Sequence, residues 1–90
     1  MKNEFRTRLN YPDPFKPTGI EFDLPETALV TVKIFHNDGQ EVKTIIENEN
    51  YSAGQHKLSV NIESFYGGNY VYRITAKGER HEFSETRRIG

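Results

Sequence analysis

In Gly67-Gly68-Asn69-Tyr70-Val71-Tyr72-Arg73-Ile74-Thr75-Ala76, two glycines precede a run in which Tyr70, Tyr72 and Ile74 alternate with Asn69, Val71, Arg73 and Thr75. A period of two in a β-branched and aromatic context is the pattern of a strand with one strongly apolar face. Tyrosine suits that face because its ring fills a core while its hydroxyl reaches a polar partner at the rim. The run predicts the central strand of a small all-β domain.

Downstream, Lys77-Gly78-Glu79 predicts a turn into a last strand running through Phe83 to Ile89. Upstream, His56, Leu58, Val60 and Ile62 alternate in the same way, and Glu47 to Gly54 predicts a polar crossing loop before them. Val30, Val32 and Ile34 form another run, with Thr31, Lys33 and Phe35 on its opposite face. Asn37-Asp38-Gly39-Gln40 then separates it from Val42 and Ile45-Ile46, and Asp-Gly between apolar runs is a strong hairpin signal. The phase shift at Ile45-Ile46 predicts a β-bulge. Ile20, Phe22 and Leu24 make an earlier strand, and Phe5, Thr7, Leu9 and Tyr11 the first. Between these two, Pro12, Pro14 and Pro17 cannot donate ladder hydrogen bonds, which predicts a packed corner.

The count comes to about seven short strands with a turn signal every 8–12 residues or so, and no segment has helical apolar spacing. This is the pattern of an immunoglobulin-like β-sandwich of antiparallel strands. Ninety residues make one such domain, spanning 1–90. With no cysteine there is no disulfide framework, and six Phe and five Tyr carry much of the expected core.

The net charge of −1 argues against a general polyanion binder, and no nucleic acid is expected as a partner. Residues 1–20 carry four basic and two acidic side chains, residues 21–68 three and eight, and residues 69–90 five and three. That distribution predicts that the two chain ends lie as neighbouring strands against an acidic middle.

Six motifs in order carry a further resemblance: Tyr11-Pro12-Asp13-Pro14-Phe15, Ile20-Glu21-Phe22-Asp23-Leu24-Pro25-Glu26 and Val32-Lys33-Ile34-Phe35, then Asp38-Gly39-Gln40-Glu41-Val42, Ser52-Ala53-Gly54-Gln55-His56 and Gly68-Asn69-Tyr70-Val71-Tyr72-Arg73-Ile74. The chain from residue 9 to 89 resembles the immunoglobulin-like module of type A C-terminal sorting domains of type IX secretion and of flagellar hook-capping proteins. The resemblance implies the same sandwich. It departs from the sorting family at Glu63-Ser64-Phe65-Tyr66, where that family has a longer Trp-Asp-Gly-containing loop, and at Arg87-Arg88-Ile89-Gly90, where it has an apolar stretch and a basic end.

Catalytic chemistry is not visible. His36, His56 and His81 lack ligand spacing, Asp38-Gly39 lacks the repeated donors of a calcium loop, and Ser52, Ser59, Ser64 and Ser84 sit in no nucleophile motif. No helix follows Gly67-Gly68 to make a phosphate loop. The sequence therefore predicts no enzyme, no cofactor, no metal and no small-molecule substrate. Aromatic residues at turns and outward strand positions are favoured in protein interfaces, which singles out Phe65, Tyr66, Tyr51 and Phe35 as protein-binding candidates. Arg87 and Arg88 join them as groups that reach an acidic partner or a lipid headgroup.

The first reading is a non-catalytic accessory subunit that binds other protein subunits of a larger assembly through an edge strand and the Phe65-Tyr66 loop. Membrane contact would be at most peripheral, and a respiratory or photosynthetic complex is one setting. The alternative is a type A sorting domain of an exported protein. With Met1 as the native start the chain stays in the cytoplasm; as part of an exported protein it reaches the cell surface or the medium. Carbohydrate binding is a third, weaker reading, because there is no Trp platform.

Overall fold

Alternation along the chain is realised as two packed antiparallel sheets. The computed structural model describes residues 5–10, 19–59 and 69–89. The strands are β1 (Arg6–Asn10), β2 (Gly19–Leu24), β3 (Ala28–His36), β4 (Glu41–Tyr51), β5 (Gly54–Ser59), β6 (Tyr70–Gly78) and β7 (Glu82–Ile89). One sheet has the order β1-β2-β5 and the other β4-β3-β6-β7, and every pairing is antiparallel. Such a two-layer arrangement is the immunoglobulin-like sandwich that the spacing of strands and turns predicts.

The core follows from the period of two. Ile20, Phe22 and Leu24 of β2 face Val30, Val32 and Ile34 of β3 and Tyr72, Ile74 and Ala76 of β6, all buried, with Ile89 of β7 closing one side. β6 lies between β3 and β7, so the run around Tyr72 is an interior strand. Tyr72 is completely buried, and its hydroxyl lies 3.1 Å from the Thr7 hydroxyl on the opposite sheet. Thr7 Oγ1 donates to the Glu21 carbonyl at 3.0 Å. A threonine hydroxyl has one proton to give, so in this pair Tyr72 is the donor and Thr7 the acceptor.

The β3–β4 hairpin turns where Asp38-Gly39 predicts. Gly39 has φ +99°, which a side chain disfavours, and Asp38 Oδ1 accepts from the Gln40 N–H at 3.0 Å. The bulge predicted in the next strand is present, as register shifts between Val30 and Val32 and on to Phe35.

Two expectations are corrected. The segment Glu47 to Gly54 is not a crossing loop, because β4 continues to Tyr51 and only Ser52-Ala53 link it to β5. Asn48 takes up the irregularity at φ 51°, with its N–H donating to Thr31 Oγ1 at 3.0 Å, so Glu49, Asn50 and Tyr51 resume pairing with β3. Polar residues suit this strand because it is a sheet edge. The two chain ends are also not neighbouring strands of one sheet. β1 pairs with β2 and β7 with β6, and the ends meet across the layers, where the Phe5 and Phe83 rings stack at 5.2 Å.

Candidate docking surface

The predicted interface residues go to different parts of the molecule. Phe35 lies half-buried on the outer face of the four-stranded sheet, as its alternation predicts, with the Arg73 guanidinium 5.3 Å from its ring centre. Arg73 also donates from Nε to Thr86 Oγ1 at 3.2 Å, tying β6 to β7 across that face.

Tyr51 does not face outward. Its ring packs edge-on to Phe22 at 5.2 Å and against His56 at 5.0 Å, which fastens the end of β4 to the other sheet. His56 holds the connection from the β5 side, with Nε2 2.7 Å from the Ser52 carbonyl oxygen. The bulge explains the inversion, since an extra residue in a strand flips every later side chain to the other face. Phe65 and Tyr66, with the glycines beside them, lie outside the described residues, as do Val60, Ile62 and the Pro12–Pro17 corner.

Burial and then the Glu49 carboxylate, which also accepts a hydrogen bond from the phenol, raise the Tyr51 pKa above the ordinary 10.0. Ionising Tyr51 is therefore harder in the folded chain than in the unfolded one. Its contribution is fully present below pH 10 and is lost as pH rises through the higher folded value. Denaturant midpoints taken from pH 8 upward should fall more steeply above pH 10 in the native chain than in Tyr51→Phe. Parallel curves for the two proteins would refute this.

Arg87 and Arg88 are consecutive on β7 and so point to opposite faces of the strand. Phe83 and Ile89 pack into the core, so Glu85 and Arg87, which share their alternation, lie on the inner face of an edge strand. There Arg87 Nε pairs with Glu85 Oε2 at 2.6 Å. Charges that point inward on an edge strand are a known defence against uncontrolled sheet extension. On β4, at the opposite edge of the same sheet, Glu49 stands opposite the buried Val30 and serves the same end.

Arg8 and Leu9 of β1 join Arg87 and Arg88 around an open cleft of about 520 Å³ between the edges of the two sheets. Arg8 is held from behind by Glu21, with Nη2 2.9 Å from Oε1. Leu9 packs against the core and supplies the apolar part of the wall. Among the described residues Arg88 forms no ion pair. Sequence reasoning singled out Arg87 and Arg88 but missed Arg8 and Leu9. Their alternation is plain in the sequence, yet strand period says nothing about which strand of the other sheet lies opposite.

No group of three or more His, Asp or Glu side chains able to hold a metal ion occurs among the described residues. No helix of the described residues is long and apolar enough to cross a membrane.

The family model for the secretion system C-terminal sorting domain matches residues 10–85. No curated protein and no solved structure gives a match. The matched span runs from the end of β1 into β7 and takes in both sheets, so it covers the whole sandwich except its two ends. This chain belongs to the secretion system C-terminal sorting domain family.

Proposed function

We propose that this chain is a type A C-terminal sorting domain, a folded and non-catalytic module that directs an exported protein through type IX secretion. The family match over residues 10–85 carries this reading. The sandwich geometry agrees with it, since a rigid module with defended edges survives as a separate unit at the end of a cargo protein. On this reading the chain works outside the cytoplasm and its partners are proteins of the export route. An accessory subunit of a respiratory or photosynthetic complex has no comparable observation behind it.

The test is to attach the chain to the C-terminus of a periplasm-directed fluorescent protein in a bacterium with type IX secretion. Export of the fusion to the cell surface or medium is the expected result, with the unfused reporter retained. Retention of a folded, intact fusion in the periplasm would remove the reading.

A further inference from the structure

We propose that the cleft between β1 and β7 docks an extended acidic segment of another protein, added as an extra strand along β7. The proposal deepens the sorting-domain reading, on which it rests for the partner being a protein. Among the described residues, those lining the cleft are Arg8, Leu9, Arg87 and Arg88, and they fall outside the span 10–85 that the family model matches.

Charge and strand geometry together choose the occupant. Among the described residues β7 is the edge of its sheet, so its outer side has backbone groups that no described strand pairs with. An added strand sets its side chains about 4.5–5.5 Å from those directly opposite, within reach of an ion pair for long side chains. Because Arg87 and Arg88 point to opposite faces, an incoming strand satisfies both only if it has acidic residues at adjacent positions. Arg87 is already paired with Glu85 on its own strand, and an incoming carboxylate shares or replaces that contact. Arg8, across the cleft, adds a third positive charge, and Leu9 gives an apolar contact to the same segment.

The same arrangement rejects other strands. A neutral or basic segment laid on β7 strips water from Arg88 without supplying a counter-charge, which is costly. Selectivity for adjacent acidic residues thus follows from an edge that otherwise repels additions.

The probe is a short labelled peptide of alternating threonine and valine around a central Glu-Glu pair, titrated with the whole chain and followed by fluorescence anisotropy. We expect it to bind about tenfold or more tighter than the same peptide with Gln-Gln, with the advantage shrinking as salt is added. Arg87→Glu combined with Arg88→Glu should reverse the preference toward a Lys-Lys peptide. Should the double variant fold poorly, Arg88→Glu alone, on an exposed residue, should still lose most of the advantage. Equal binding of the Glu-Glu and Gln-Gln peptides would overturn the proposal. So would capture by phosphatidylglycerol vesicles with no peptide preference, or a cleft filled by self-association of the chain. The reporter fusion separates the two claims: a native fusion that is not exported removes the sorting reading, whereas native export with no peptide preference removes only the acidic partner.

Discussion

Replacing Tyr72 with alanine should lower the unfolding free energy by about 3–5 kcal/mol, the range for deleting a buried aromatic ring. A chain of this length has on the order of 5–10 kcal/mol in total, so the variant should be barely folded at ambient temperature. The loss has two parts. Tyr72 is fully buried between Ile34 on β3 and the inner face of β7, so its removal leaves a cavity in a thin core. Its hydroxyl also donates to Thr7, and that bond ties β6 to the strand at the edge of the other sheet. Tyr72→Phe separates them. It keeps the ring, and Thr7 keeps its bond to the Glu21 carbonyl, so the expected cost is only about 1 kcal/mol. Urea titrations of the three proteins give the answer. Equal losses for Phe and Ala would mean that the hydroxyl, and not ring packing, dominates at this position.

Gly19→Ala should be nearly as damaging, at about 3 kcal/mol, the upper end of the range for overpacking. Gly19 sits in the middle strand of the three-stranded sheet, opposite Asn10 on β1 and Ser59 on β5. A Cβ there runs into the Leu58 carbonyl oxygen. The obstacle is backbone, which cannot rotate aside, so β5 must draw away from β2 or the ladder must break. Gly78 provides the contrast. A Cβ there meets the Glu26 side chain, which is flexible, so the chain can yield by moving a carboxylate. A Gly19→Ala midpoint within experimental error of the native one would show that the two strands have slack this geometry does not contain.

Much of this structure is legible in the residues themselves. Val30-Val32-Ile34 and Tyr72-Ile74-Ala76 are buried at every second position because the strand period is two, and Asp38-Gly39 turns because glycine accepts φ +99°. The end of β4 was not legible. Glu47-Asn48-Glu49-Asn50 has the polarity of a loop, and nothing local distinguishes a loop from an edge strand solvated on both sides. That same bulged strand carried Tyr51 inward when simple alternation sent it out. The cleft was half legible. Arg87 and Arg88 stand out in the sequence as adjacent cations, but Arg8 reaches them through the stacking of two sheets, a relation with no periodic trace.

The bond between Thr7 and Tyr72 joins residues 65 apart in sequence, and the Glu26 carboxylate holds the His81 amide, 3.0 Å away, across 55 residues. Contacts of this kind reward the chain only after long loops have closed, which places the domain among slower, millisecond-to-second folders. β3, the largest contributor to the core, has its inner ladder partner in β6, near the far end of the sequence. During synthesis, then, β2 and β3 can meet early, but β3 waits for its inner ladder partner until β6 is made. The four-stranded sheet is completed by its last two strands, and until β6 emerges from the ribosome the layer over β2 is half built.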